Sequence, residues 1–359
     1  MSRLRPDNTA VIWGGSDDRQ NLEVNGDNAS VLVAWVLGRI SPAWEKDLRV
    51  SLQKRLGVAV DDAKHLLHEL IEAAVLVEPE STEPARTRAE QWSWYGWDDA
   101  AAFHSATFGQ RFDPDTLNEL VYADYYRQLL ADPGPIGAQP AAIKPADGYG
   151  VALAIPATAA PPITVSAVLD RAAPINRFRQ PKIALSDLQA VLQRSVGVQR
   201  MVGGVLGDHL IKAHPSGGAR HPCECYVIAK AVDGLLPATY HFDPVHHAFR
   251  SLPHSGAPGK IDQACFGKGG IVTAPAVLVL TCRWLRHNWK YRYPRSYRMV
   301  LLELGHIIQT INLVAGAHGL GAYHCPSIND AEVLGLLGLE DDCREGPLYA
   351  IGIGAEGVR

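Results

Sequence analysis

Lys212 to Ala229 reads KAHPSGGARHPCECYVIA. A turn-forming Pro215-Ser216-Gly217-Gly218 leads through Arg220 and His221 into the apolar run Cys225, Tyr226, Val227, Ile228 and Ala229. Proline fixes φ and paired glycines allow backbone geometries that other residues resist, so main-chain N–H groups can come close to a flat or anionic ligand. The β-branched and aromatic run that follows is expected to be a strand. On geometry alone the stretch is either an ordinary loop-to-strand junction or a cofactor loop.

Outward from this stretch, composition sets the bounds. The chain has 359 residues, 47% hydrophobic and 20% charged, enough for two domains with ordinary cores. A formal net charge of −4 supplies no basic field for nucleic acid or an anionic membrane. All six cysteines lie between Cys223 and Cys343, and the start, Met-Ser-Arg-Leu-Arg-Pro-Asp, lacks the apolar core of a signal peptide, so a cytoplasmic chain with reduced thiols is expected. The longest uncharged run, Gly148 to Leu169, carries Pro156, Pro161 and Pro162 and is expected to be an extended connector followed by an apolar, β-branched stretch from Ile163.

Before the quoted loop, Ala10-Val11-Ile12-Trp13 suggests a strand, and helices are expected over 29–40, 44–56 and 61–76, with Asp61 and Asp62 favouring the N-terminus of the third. Val75-Leu76-Val77 could begin a β-wing, which would complete a winged-helix pattern. Glu78 to Glu90, with its prolines and glutamates, is expected to be a solvated linker. Trp92, Trp94, Tyr95 and Trp97 then crowd together, either lining a peptide groove or packing one domain on another. Ser186 to Ser195 is expected to be a helix capped by Ser186, Ile271 to Cys282 a strand interrupted by Pro275, Ser296 to Gly316 a long apolar helix, Asn329 to Gly338 another, and Pro347 to Ile353 a last strand. Strands and helices interleave without a strict βαβ period, which indicates α+β.

Two later segments share the order and wording of a known family. Gly234 to Pro244 reads GLLPATYHFDP. Trp289-Lys290-Tyr291 is followed by Pro294, Arg295, Tyr297 and Arg298, then LLELGHIIQTINLVAGAHGLGA from Leu301 to Ala322. With the glycine loop, these resemble the nitroreductase superfamily, in particular its SagB-type peptide dehydrogenases, which oxidise azolines in ribosomally made peptides. The resemblance covers roughly residues 165 to 359. It implies a nitroreductase-like fold, a central mixed or antiparallel sheet with surrounding helices, that holds FMN at a homodimer interface. With the linker as boundary the chain divides into 1–90, winged-helix-like; 91–162, a Trp-rich helical connector; and 163–359, the flavin domain; the resemblance implies that 1–90 recognises a leader peptide, the alternative being a helical dimerisation or packing module. A precursor peptide and a cyclodehydratase would be its partners.

The same resemblance assigns roles. Lys290 and Tyr291 match the pair implicated in proton transfer; a lysine acts as base only if burial or cations lower its pKa, and Arg283, Arg286, Arg292 and Arg295 lie close in sequence. Ser216, Gly217, Gly218, Arg220 and His221 match the flavin loop, and Gly319, Leu320 and Gly321 a later glycine segment; Arg177 and Arg295 are further cofactor candidates. One departure stands out. Where the family has Arg-Arg-Ser-x-Arg-x-Phe, alignment on Phe178 leaves Ala172, Ala173, Pro174 and Asn176, with Arg171, Arg177 and Arg179 out of register. Either these arginines substitute from neighbouring turns or flavin affinity is reduced. Gln309 and Asn312 are candidate core polars or ligands. Cys223-x-Cys225 does not match a C-x-x-C knuckle, at most one of its cysteines is expected to face any site, and no metal is expected. Rival readings are a general NAD(P)H-dependent nitro or quinone reductase and a flavin-free scaffold for a precursor peptide.

Overall fold

The computed structural model describes residues 2–4, 10–13, 21–24, 32, 45–72, 76, 92, 94–108, 119–134, 137–154, 159, 162–170 and 175–355. Contacts divide the chain into two compact units, 1–111 and 112–359.

In the first unit, β1 (Ser2–Leu4), β2 (Ala10–Trp13) and β3 (Asn21–Val24) form an antiparallel sheet in that order. Helices α1 (Glu45–Leu56) and α2 (Val60–Glu72) pair through Leu52, Leu56, Ala63, Leu67 and Leu70, joined by Leu32. Ala63, Leu67 and Leu70 recur at helical spacing, and Asp61 and Asp62 sit in the first turn, where the helix dipole favours them. The expected helix over 29–40, apart from Leu32, and the wing at Val75 and Val77 lie outside the described residues. Helix α3 is Asp98–Thr107. Trp94, Tyr95 and Trp97 just before it are exposed, and the rings of Trp92 and Trp97 meet edge to face at 5.6 Å.

The second unit opens with α4 (Glu119–Ala131), β4 (Ala152–Ala154) and α5 (Val165–Asp170). Then come β5 (Ile183–Ala184), α6 (Leu185–Ser195), β6 (Arg200–Val202), β7 (His209–Ile211), β8 (Cys223–Ala229), β9 (Val232–Asp233), β10 (Ala238–Asp243) and β11 (Ala248–Ser251). The rest is α7 (Lys260–Ala264), α8 (Gly269–Val272), β12 (Ala276–Arg283), α9 (Trp284–Asn288), α10 (Ser296–Ala317), β13 (Leu320–Cys325), α11 (Asp330–Leu337) and β14 (Glu345–Ala355). Seven strands form one sheet in the order β13-β14-β12-β8-β10-β11-β4, every pairing antiparallel.

The central strands β8 and β12 are apolar on both faces because helices cover both. Cys223, Cys225, Val227 and Ala229 share one face with Leu188, Val191 and Leu192 of α6 and with Val300, Leu304, Ile307, Ile311 and Ala315 of α10. Tyr226 and Ile228 share the other with residues of α7, α8 and α11. Each such buried aliphatic side chain contributes roughly 1.5–3 kcal/mol of transfer free energy. Helix α10 is long and apolar enough to cross a membrane by length and composition, but its buried stripe packs on this sheet as a core helix does.

Several expectations are corrected here. Cys223 and Cys225 face the same way, as residues two apart on a strand must, and both are buried in one core. Helix α6 starts at Leu185 with Ala184 as N-cap and no side-chain cap, so Ser186 is not the cap. The short parallel bridge of Ile183 and Ala184 to β9 ends the extended backbone there. Residues 165–170 are helical, and Pro275 precedes β12 instead of interrupting it, with α8 before it. Asn329 caps α11 by accepting from the Glu332 N–H at 3.2 Å, and Gly338 closes it at φ 66°.

Candidate functional site

Between β7 and β8 the glycine loop folds as a single tight turn over Gly217–Ala219, with positive φ at Gly218 (57°), Ala219 (52°) and His221 (44°). Glycine takes such angles freely, whereas Ala219 and His221 store strain of order 1–3 kcal/mol each. Ser216 holds the turn from below: its Oγ donates to Glu303 Oε2 at 2.6 Å and accepts from the His221 N–H at 2.9 Å. Glu303 is buried on α10, and burial pushes its carboxyl up to about 7 against the pull of Ser216, Lys212 and Arg286.

Lys290 and Tyr291 follow α9. His287 and Ser296 fasten their backbone: Ser296 Oγ donates to the Tyr291 carbonyl at 2.9 Å, and a His287 ring nitrogen meets the Ser296 carbonyl at 3.1 Å. Trp289 is buried beside them and donates from Nε1 to the Gly137 carbonyl at 3.0 Å. The structure brings this pair onto the glycine loop. A Cβ built on Gly218 would stand 2.5 Å from Lys290 Nζ and closer still to Tyr291 Oη, and one on Gly217 would stand 2.5 Å from Met299 Cε. Real Cβ atoms do not pack so tightly, so the approach requires glycine. Helix α4 completes the wall, with Lys290 Nζ 5.6 Å from the Tyr126 ring centre and 5.4 Å from that of Tyr291.

The arginines expected to surround Lys290 have other duties. Arg286 is buried in a pair with Glu224 at 2.6 Å and donates to the His221 carbonyl, and Arg283 lies 3.7 Å from Glu345. Against burial, which would raise it, Arg286 and His241 hold the Glu224 carboxyl well below the usual range. Arg292 reaches Tyr125 Oη at 2.9 Å. Arg295, half-buried, precedes α10 as its N-cap.

Arg220 and His221 turn inward. Arg220 is buried with Nε on the Arg286 carbonyl at 3.2 Å, and the His221 Nε2 meets the Leu210 carbonyl at 2.8 Å. Burial and Lys212 lower His221 to about 2 and His214 to about 3. Of the loop residues read from sequence, Gly217 and Gly218 therefore meet Lys290, Tyr291 and Met299, while Ser216 braces the turn from within.

Arg177 and Gly319 are exposed, whereas Leu320 lies in the core and Gly321 is buried in β13, so of the later glycine segment only Gly319 is accessible. Gly319 (φ 70°) follows α10, whose 22 residues span about 33 Å at ~1.5 Å per residue, so it lies far from Arg295 at the other end. A Cβ on Gly319 would meet nothing within 4 Å, so its backbone is open to approach. Arg177 is exposed and lies against Gly269, while Phe178 is buried against Gly352 and Gly354, the partners of Tyr323 and Gly321 in the sheet. The residues expected to bind the cofactor thus fall into two candidate half-sites, the glycine loop with Lys290 and Tyr291, and Arg177 with the exposed Gly319. Sequence reading missed Glu303 and Tyr126. Glu303 falls in a run read only as apolar helix, and Tyr126 is far away along the chain.

The nitroreductase family profile matches residues 175–355. Over 138 residues the chain is 33% identical to the trifolitoxin-processing protein TfxB of Rhizobium leguminosarum bv. trifolii, covering 37% of each. It is 26% identical over 192 residues to a Methanocaldococcus jannaschii protein that carries a nitroreductase name, covering 54% of this chain and 91% of that one. A crystal structure of an Anabaena variabilis protein, also with a nitroreductase name, superposes with a TM-score of 0.51 at 22% identity, over 71% of this chain and 45% of that one. The chain thus spans under half the length of the Rhizobium and Anabaena proteins. The matched profile covers half of the chain and the whole of the sheet from β8 to β14, and the chain belongs to the nitroreductase family.

Proposed function

We propose that this protein is an FMN-dependent dehydrogenase of a ribosomally made peptide, oxidising thiazoline or oxazoline rings to the aromatic azoles. The observation that carries the reading is the seating of Lys290 and Tyr291 on Gly218, which places an amine and a phenol against a loop built for close approach. Likeness to a trifolitoxin-processing protein supports a peptide substrate. FMN, when bound, supplies the hydride acceptor. Either Lys290 as the neutral amine or Tyr291 as the phenolate would accept the ring proton while the other orients it, and Tyr126 flanks the lysine. Ser216 and Glu303 keep the loop in its strained form so that its N–H groups stay presented.

The residues present fit the cofactor when two copies meet. Gly218 and Lys290 of one copy supply the ring and proton-transfer side. Arg177 and the open Gly319 backbone of the other supply the anionic grip, replacing the missing family arginines. Exposed Leu301 and Leu302 on α10 give an apolar surface for that pairing. The N-terminal sheet β1-β2-β3 offers edges to which an extended leader peptide can add a strand, and a cyclodehydratase would supply the azoline. The reading places the protein in the cytoplasm. A purified protein that binds FMN and bleaches it anaerobically with an azoline peptide supports this function; NADPH-driven reduction of nitroaromatics with no peptide oxidation supports a general reductase instead.

A further inference from the structure

Against the glycine loop three buried side chains converge, and apart from the bond of Glu303 to Ser216 none has a role in the chemistry above. His214 and His221 flank the loop and Glu303 faces them from α10; they are 3%, 3% and 2% exposed. One nitrogen or oxygen from each lies within 4.8 Å of those from the other two. His214 and His221 are ring neighbours at 5.0 Å, nearly perpendicular.

The hydrogen bonds around this cluster leave the inward atoms unused. The Leu210 carbonyl can only accept, so His221 Nε2 carries the proton there and the Nδ1 lone pair points inward. Glu303 uses Oε2 on Ser216 and leaves Oε1 inward, 3.8 Å from His221 Nδ1. His221 Nδ1 and Glu303 Oε1 make no hydrogen bond while buried, and His214 has only a weak approach to the Pro215 backbone. Burying unmatched acceptors is costly, and a proton on Glu303, whose carboxyl burial pushes up to about 7, or a metal cation can sit between these two. A cavity of about 10 Å³, with room for the centre of one water, adjoins His214 and is also lined by Lys212, Cys223 and Glu224, but not by His221 or Glu303.

We infer that His214, His221 and Glu303 form a site for one divalent transition-metal ion of the zinc type, with a water as fourth ligand. Two imidazoles and a carboxylate are a recurrent three-protein-ligand set for zinc. The outer contacts match what ligating groups need: a histidine donating its other N–H to a backbone carbonyl, and a carboxylate held by a hydroxyl. Zinc holds such ligands about 3.3 Å apart, so the cluster draws in by about 0.5 Å on the His221–Glu303 edge and at most about 1.5 Å on the widest. The metal would clamp both ends of the glycine loop to α10. Lys212 is the unfavourable neighbour, since its ammonium repels a second cation.

The test is independent of the flavin reading because it reads metal, not turnover. Chelator-treated full-length protein is titrated with Zn²⁺ alone, with metal content measured after gel filtration. One ion per chain is expected, together with a raised melting temperature. His214→Ala and Glu303→Gln should each weaken binding at least about tenfold. Lys212→Met should tighten it by several-fold. No binding, or binding unchanged in His214→Ala, as the exposed Asp341-Asp342-Cys343 cluster would give, overturns the site. Should those variants fail to fold, Co²⁺ in the wild-type protein decides. Bands of a tetrahedral nitrogen and oxygen site support it, and a thiolate charge-transfer band or no Co²⁺ binding overturns it.

Discussion

Lys290 Nζ lies over Gly218 so closely that a Cβ added to the glycine would stand 2.5 Å from it. The two residues are 72 positions apart in sequence, and the contact exists because β8 and β12 are neighbours in the sheet. Gly218→Ala must displace the lysine and also hold alanine at φ 57°. It is expected to lower stability by about 1–2 kcal/mol and turnover more than tenfold, read by denaturant unfolding and peptide oxidation.

Lys290→Ala and Tyr291→Phe separate base from scaffold. Each should cut azole formation by roughly 10²–10⁴-fold while leaving bound flavin near the wild-type level. Turnover within twofold of wild type for both would remove the pair from the chemistry.

Phe178 anchors the second half-site by packing on Gly352 and Gly354. Phe178→Ala should cost about 3–5 kcal/mol in unfolding free energy. Because Arg177 is its neighbour, flavin content should fall with it.

The hairpin of β10 and β11 carries a pH-dependent contribution. Burial would raise the Asp243 carboxyl, but hydrogen bonds from His246, Arg250 and Val245 lower it to about 2. A carboxyl depressed in the folded state stabilises above its ordinary pKa, near 4, and that contribution is lost as pH falls from about 4 to about 2. In thermal melts across this window, Asp243→Asn should be less stable than wild type at pH 6, with the gap closing towards pH 2.

Leu302 lies 65% exposed on α10. If the half-sites meet across two copies, Leu302→Glu should give a monomer in analytical ultracentrifugation and lose flavin together with dimerisation.

Local sequence carried much of this molecule. The β-branched run in β8, the spacing of apolar residues in α10 and the helix expected over Asn329 to Gly338 are set by near neighbours, and each element stands where its pattern puts it. The misreadings have non-local causes. Ser186 lost its cap role because β9 pairs with Ile183 and Ala184. The arginines near Lys290 were expected to act on it, yet Glu224 and Glu345, far along the chain, claim two of them. Glu303 gave no signal, since one acid in an apolar helix acquires meaning only when Ser216 and two histidines meet it.

The most direct measurement is the visible spectrum of the purified protein before and after anaerobic addition of an azoline-containing peptide. The account predicts flavin bands from FMN near one per chain, bleached by the peptide in step with azole formation and unbleached in Lys290→Ala. A colourless protein that takes up no added FMN, or bound flavin that no azoline peptide reduces, would contradict it.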